Sequence, residues 1–204
     1  MPTKTFFNLT KKKSQKIIEA SKSEFSKYNF YDASINRIIR EAEISRGSFY
    51  QYFENKEDLF IYILDSYKLT IVEWLKNKSE NKKYDIFEAY LLVYDYITED
   101  NFTSKDKDFL IMTIANMDIK LSQHLMGFLK CEDISNSSSY FNELVNMDNI
   151  IVNDPSEIMI IHNILMTIMM NQIAIFFSDI NNSRKCREDI INKFNLIKSG
   201  IKYK

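Results

Sequence analysis

Glycine and proline are scarce in this chain of 204 residues, which contains three glycines and two prolines. Both residue types interrupt regular structure, because glycine reaches backbone conformations closed to other residues and proline ends helices. Their scarcity leaves little material for tight turns and excludes a glycine-rich loop that cradles phosphate groups. The sequence therefore predicts long helices joined by polar loops.

Cysteine is equally rare, and the two cysteines, Cys131 and Cys186, are far apart in the chain. Neither lies in a C-x-x-C motif or beside a histidine, which argues against a zinc site and a disulfide framework. The chain also lacks an H-E-x-x-H motif, an E-x-x-H metal pair and an evident nucleophile with a neighbouring base. The sequence therefore predicts no catalytic residue, no metal and no cofactor.

One apolar run, residues 158–177, is long enough to resemble a membrane span. Its polar residues argue against that interpretation, because Asn163, Thr167 and Asn171 are four residues apart and form one stripe on a helix. The N-terminus also lacks the apolar run of a signal peptide. We therefore expect no membrane partner and a cytoplasmic location.

Hydrophobic residues make up 45% of the chain and aromatic residues 14%, enough to build a sizeable core. Their spacing is that of helices almost throughout, which predicts an all-α fold. The expected helices cover residues 35–42, 46–53 and 56–78, two or three helices shared between residues 84–98 and 105–130, and residues 140–147, 155–177 and 183–199. A serine-rich loop is expected at 131–139, and Gly200 should close the last helix.

Residues 34–59 carry the most informative pattern. Ser34 and Ser45 are candidate N-caps for two short helices that are separated by a turn of three residues. On the second helix, Phe49 and Phe53 are four residues apart and share one face, which leaves the opposite face free to contact a partner. This layout is that of a helix-turn-helix.

The run from 45 to 59 reads Ser-x-Gly-Ser-Phe-Tyr-x-Tyr-Phe-x-x-Lys-x-x-Leu. It resembles the DNA-binding domain of the TetR family of transcriptional regulators, and the resemblance extends over about residues 10–64. Two residues depart from the family pattern: Glu43 stands where glycine is usual in the turn, and Ile39 stands where alanine is usual. If Glu43 adopts a positive φ angle, the turn is strained but the fold is retained.

The resemblance implies an N-terminal three-helix helix-turn-helix domain, residues 1–55, and a C-terminal helical domain for effector binding and dimerisation, residues 56–204. It also implies a set of DNA-binding residues: Ser34, Ser45, Arg46, Gly47, Ser48, Tyr50, Gln51, Tyr52 and Lys56. Arg46 and Gln51 suit base contacts, whereas Ser48, Tyr52 and Lys56 suit phosphate contacts. Tyr50 and Tyr52 could equally be packing aromatics.

The charge distribution points to nucleic acid independently. Residues 1–53 hold ten Lys and Arg against five Asp and Glu, a net charge of +5, and residues 54–204 hold the remaining 17 and 23, a net charge of −6. A basic part can neutralise phosphates while an acidic part repels DNA and orients its approach. Lys11, Lys12 and Lys13 could form a basic arm, although a solvated charge run is an equal alternative.

By resemblance, the effector site lies among the helices of the second domain. The candidate lining residues are aromatic, methionine or uncharged polar: Tyr67, Trp74, Tyr90, Tyr94, Met112, Asn163, Met166, Thr167 and Met170. The alternative is that these side chains fill an ordinary core. The last two helices correspond in position to the pair through which TetR-like proteins dimerise.

The function implied is that of a ligand-responsive repressor. A homodimer would bind palindromic double-stranded operator DNA and would be released by a small apolar or amphipathic effector. Two alternatives stay open at this point: a constitutive DNA-binding regulator without an effector, and an enzyme built on a helical bundle.

Overall fold

The computed structural model describes residues 1–80, 82–99, 101–118, 121, 124, 144–146, 150, 154–178 and 183–201. Nine helices lie within these residues, and the all-α fold expected from the sequence is confirmed. They are α1 (Lys4–Phe7), α2 (Lys11–Lys27), α3 (Ile35–Ala42), α4 (Arg46–Tyr52), α5 (Lys56–Lys78), α6 (Ile86–Thr98), α7 (Ser104–Ala115), α8 (Pro155–Ser178) and α9 (Ser183–Ile201).

Two short strands are the exception to the helical pattern. β1 (Tyr84–Asp85) pairs in parallel with β2 (Val145–Asn146), so that Tyr84 lies opposite Val145. The helix expected from residue 84 therefore starts at Ile86, where the Asp85 carboxylate accepts hydrogen bonds from the first turn. The helix expected at 140–147 is wrong at residues 145 and 146, because their backbone pairs with β1, and residues 140–143 and 147 lie outside the described part of the chain.

Several other sequence predictions concern chain ends and loops. Gly200 does not close the last helix, because α9 continues through it to Ile201 and no described glycine has a positive φ angle. Cys186 is buried on α9. The loop expected at 131–139, which includes Cys131, lies outside the described residues, as do residues 119, 120, 122, 123 and 125–130 of the region expected to be helical within 105–130.

The chain forms two compact units. The first comprises Met1–Leu69 and Phe102–Asn116. In its core α7 packs on α2, and the rings of Phe25, Phe60 and Phe109 lie within 4.9–6.3 Å of one another. The helix-turn-helix is therefore held on an aromatic core that includes a helix distant in sequence.

The second unit comprises Thr70–Asn101 and Met117–Lys204. In it α8 packs against both α6 and α9, and its core contains the fully buried side chains of Leu165, Ile173 and Ile190. Within the described part of the chain, residues 157–178 of α8 are the single helix with the length and composition of a membrane span. A core helix of a soluble protein has the same properties.

Candidate nucleic-acid interface

The second helix of the helix-turn-helix, α4, begins where Ser45 caps it. Its Oγ accepts a hydrogen bond from the backbone N–H of Ser48 at 3.0 Å. A serine at this position satisfies one of the backbone donors that a helix leaves free at its start. Phe49 and Phe53 are both fully buried, so the inner face of α4 is packed into the first unit. Both the cap and the inner face agree with the sequence prediction.

The outer face of α4 is open to solvent. Arg46, Gly47 and Gln51 are exposed, and 45% of Tyr50 is exposed. A Cβ atom added to Gly47 would meet only Ser45 Oγ, at 3.9 Å, so no contact within the protein requires glycine there. Because glycine within a helix costs about 1 kcal/mol relative to alanine, its presence suits a face that a partner approaches closely.

Arg46 has a neighbour that the sequence did not reveal. Its Nη1 donates a hydrogen bond to the side-chain oxygen of Asn36 at 3.2 Å. Asn36 is an exposed residue of α3, ten positions earlier in the chain. An exposed asparagine on a helix has no spacing or motif that marks it as part of a binding site. Asn36 is therefore identified only by its contact with Arg46 in the folded structure.

The turn between α3 and α4 depends on Glu43, whose φ of 54° and ψ of 45° place it in the left-handed region. The expected strained conformation is therefore present. The backbone N–H of Ile44 donates to the carbonyl of Ile39 at 3.0 Å, as in a Schellman motif. The Glu43 carboxylate accepts a hydrogen bond from Lys16 of α2, which lowers the pKa of Glu43.

Lys56 and Ser34 lie beside the loop that precedes α3. Lys56 Nζ donates to the carbonyls of Tyr31 and Ala33, at 3.1 and 2.7 Å, and burial lowers the pKa of Lys56. The Ser34 side chain does not cap α3, contrary to the sequence prediction; instead its backbone N–H donates to Glu24 Oε1 at 2.7 Å. Both residues are half-buried and tied to the loop.

The predicted DNA-binding residues thus fall into three classes of exposure. Tyr52 is buried, with 4% of its surface exposed and its ring 6.3 Å from that of Phe6. The half-buried residues are Ser34, Ser48 and Lys56, and the exposed residues are Ser45, Arg46, Gly47, Tyr50 and Gln51.

The three consecutive lysines 11–13 are exposed, and they form the first turn of α2. They are not an extended arm, because α1 precedes them and packs against α4. The three lysines are therefore fixed on the surface of the first unit, where they can contact DNA only if DNA binds to that surface.

The predicted effector-binding residues are divided between the two units. Tyr67 and Met112 belong to the first unit, where the Tyr67 hydroxyl donates to Asp106 at 2.5 Å and its ring stacks on Phe109. The other seven belong to the second unit: Trp74, Tyr90, Tyr94, Asn163, Met166, Thr167 and Met170.

Polar groups lie inside the second unit. The Tyr90 hydroxyl is hydrogen-bonded to Nδ1 of His162, whose side chain is fully buried. Three other buried oxygens have no hydrogen-bond partner among the described residues: Tyr94 Oη, Asn163 Oδ1 and Gln172 Oε1. A buried polar atom without a partner is costly, so each is a place where a ligand or water could bind. The described residues contain no cluster of three or more His, Cys, Asp or Glu side chains that could hold a metal.

Solved structures share this fold. FadR from Bacillus subtilis in complex with stearoyl-CoA has a TM-score of 0.56 and 16% identity, with 86% of this chain and 96% of that chain covered. FadR from Bacillus halodurans has a TM-score of 0.58 and 16% identity, with coverages of 90% and 96%.

Sequence comparison agrees. The uncharacterized HTH-type transcriptional regulator YdgC of Bacillus subtilis is 27% identical over 67% of this chain and 72% of its own length. The HTH-type transcriptional regulator HbdR of an Aromatoleum species is 33% identical over 43% of this chain and 41% of its own. The family of bacterial regulatory proteins, tetR family, matches residues 17–63, and the Tetracyclin repressor-like, C-terminal domain family matches residues 85–201. The chain therefore belongs to the TetR family and is a DNA-binding transcriptional regulator.

Proposed function

We propose that the chain is a cytoplasmic repressor that binds a palindromic operator through α4 and is released by a small-molecule effector. The observation that carries the proposal is the two-sided construction of α4. Phe49 and Phe53 are buried, whereas Arg46, Tyr50 and Gln51 are exposed on the other side. A short helix packed in this way can enter a major groove without losing its support.

Arg46 and Gln51 are proposed to read bases. Arginine can bond both acceptors of a guanine, and glutamine can bond a donor and an acceptor of adenine, each pair contributing about 1–3 kcal/mol of discrimination. In the free protein Arg46 is bonded to Asn36, so we expect Asn36 to orient the guanidinium before DNA arrives.

Phosphate contacts are proposed for Ser48, Lys56 and the exposed lysines 11–13. For Tyr52, its burial supports the packing alternative. For Lys56, the bonds to Tyr31 and Ala33 support a second role, in which it holds the loop before α3 while its charge attracts the backbone of DNA. The DNA-binding domain is proposed to comprise residues 1–55.

Dimerisation is proposed through α8 and α9. Four large apolar side chains are exposed on these helices: Ile160, Ile164 and Ile175 on α8, and Leu196 on α9. The first three are spaced by four and eleven residues, which places them on one face. A second copy of the chain would cover this face and would set the distance between two recognition helices.

An apolar or amphipathic effector is proposed for the second unit. The unpartnered oxygens of Tyr94 and Gln172 support a ligand with at least one polar group, and the buried apolar side chains of α6 and α8 support a hydrophobic body. Stearoyl-CoA is a suitable first probe, because it is the molecule bound in the similar FadR structure. Only a ligand that binds the free and DNA-bound forms with different affinity can release the operator.

The test begins with duplexes of random sequence from which the wild-type protein selects its binding site. Affinity is then measured for the selected duplex and for a scrambled duplex of the same composition. Arg46→Ala should reduce the ratio of the two affinities. Arg40→Ala, which alters an exposed arginine of α3, is the matched control and should leave that ratio unchanged.

The alternatives make different predictions in the same experiment. A constitutive regulator would select a palindrome but would keep its affinity in the presence of every compound bound by the second unit. An enzyme on a helical bundle would select no common sequence. Equal losses on both duplexes for Arg46→Ala would remove its assignment as a base reader.

A further inference from the structure

The N-terminal segment, residues 2–9, is hydrogen-bonded to the end of the proposed recognition helix. The Thr3 hydroxyl donates to the carbonyl of Gln51 at 2.6 Å, and the Thr3 backbone N–H donates to the carbonyl of Tyr52 at 2.9 Å. These contacts join residues 48 and 49 positions apart in the chain. Both accepting residues belong to the last turn of α4.

The last four carbonyls of a helix have no partner within it. In α4 the carbonyl of Phe49 is bonded by the N–H of Phe53, which leaves the carbonyls of Gln51 and Tyr52 to other donors. Thr3 supplies both. Because α4 has only seven residues, and isolated helices of this length are not stable in water, its geometry depends on such contacts from outside.

An aromatic cluster holds the segment in place. Phe6 is 2% exposed, and its ring centroid lies 4.7 Å from that of Phe53 and 5.4 Å from that of Tyr62. Pro2 is buried as well. Thr3 lies between these two buried residues, so its hydroxyl is presented to α4 by a folded part of the first unit.

The tetR-family match begins at residue 17, so this segment lies outside the part of the chain that the match assigns to DNA binding. We propose that the N-terminal segment is a positioning element of the operator-reading surface: Thr3 holds the backbone of Gln51, and thereby the direction in which the Gln51 side chain meets a base. Thr3 itself contacts no DNA in this role. The inference rests on the proposed reading of bases by Gln51.

The experiment compares Thr3→Val, which keeps the shape and removes the hydroxyl, with Thr3→Ser, which keeps the hydroxyl. Thr10→Val is the matched control, because Thr10 is exposed and its side chain makes no cap hydrogen bond. Each protein is titrated with the selected duplex and with duplexes that carry single base-pair changes. The melting temperature of each variant establishes that it is folded.

Thr3→Val should lower discrimination by about 2- to 10-fold, the effect of one hydrogen bond. The loss should occur at the base pairs where Gln51→Ala also loses discrimination, and not at those read by Arg46. Thr3→Ser should restore discrimination, and Thr10→Val should leave it unchanged.

Unchanged discrimination in Thr3→Val would overturn the proposal, as would an equal loss of affinity on every duplex, since that is the mark of a general effect on stability. If wild-type protein selects no common sequence, or if Gln51→Ala discriminates as wild type does, the reading of bases by Gln51 has failed. The two failures are therefore distinguishable.

Discussion

Arg37 and Glu24 form an ion pair at the start of α3, with Arg37 Nη2 2.6 Å from Glu24 Oε1. Glu24 is 4% exposed and also accepts the backbone N–H of Ser34. The Arg37 guanidinium lies 4.1 Å from the ring centre of Tyr28, and the hydrogen bond to Glu24 raises the pKa of Arg37. The buried carboxylate of Glu24 therefore bonds the backbone N–H of the N-cap residue of α3, as the glutamate of a capping box does.

Glu24→Gln should destabilise the first unit, because the amide cannot accept both the Arg37 and Ser34 donors with the strength of a carboxylate. Hydrogen bonds to charged groups contribute about 1.5–3 kcal/mol, and we expect a loss of free energy of unfolding in that range. Urea denaturation measures it. Glu41→Gln, at an exposed glutamate of α3, should change the free energy little, and an equal effect of the two changes would contradict the buried role of Glu24.

Asp106 should stabilise the first unit in a pH-dependent manner. Its carboxylate accepts hydrogen bonds from Lys22 at 2.8 Å, Tyr67 at 2.5 Å and Thr103 at 2.7 Å. Burial alone would raise the pKa of Asp106, but these three donors outweigh it and lower the pKa below its ordinary value of 3.8. The charged form is therefore favoured in the folded state.

Because the folded pKa is the lower one, the stabilisation by Asp106 is fully present above about pH 4 and is lost as the pH falls through the folded pKa. Asp106→Asn should lower the free energy of unfolding at pH 7, and the difference from wild type should shrink below pH 4. Urea denaturation at several pH values tests this. A difference that stays constant down to pH 2 would show that the charge of Asp106 does not matter.

The helix-turn-helix could be read from the sequence because its signals are local. Ser45 accepts from the backbone three residues later, and Asn55 does the same for Asp58 at the start of α5. Phe49 and Phe53 mark the buried face by their spacing alone. Such signals depend only on neighbours along the chain. The observed ends of α3, α4 and α5 accordingly lie within one residue of the predicted ends.

What could not be predicted depends on contacts between distant residues. Thr3 reaches Gln51 across 48 positions, and β1 forms only because β2 lies beside it. Cys186, Ile190 and Phe194 lie at helical spacing on α9, and all three are buried. Spacing shows that a face is apolar, and it does not show whether the same chain or a second chain covers it.

Phe194 of α9 is unsuitable for a test of dimerisation, because it lies inside the second unit. Phe194 is 3% exposed and its ring lies 5.7 Å from that of Phe87, so a charge at that position would disrupt the second unit itself. Ile164 is 43% exposed on α8 and is the better position. Ile164→Glu should give monomers, because an unpaired charge is costly to bury in an interface.

Light scattering at micromolar concentration measures the mass of each protein, and circular dichroism establishes that the helices are retained. Leu69→Glu, at a 45% exposed leucine of the first unit, is the matched control and should remain dimeric. A wild-type protein that is monomeric at this concentration, or an Ile164→Glu protein that is dimeric, would contradict the proposed interface.

The chain has a single tryptophan, Trp74, which lies in the second unit with its indole 4.7 Å from the ring of Tyr96. Its fluorescence should change on addition of an effector that alters the packing of this unit, and operator affinity should fall over the same concentration range.

If the effector prefers the free protein by about 100-fold, the coupling free energy is about 2.7 kcal/mol. Titration with stearoyl-CoA, with Trp74→Phe as the optical control, tests both effects. A compound that changes the fluorescence at low concentration and leaves operator affinity unchanged would contradict the proposed release. Such a ligand would bind the free and DNA-bound proteins equally well, and it would therefore not shift the equilibrium between them.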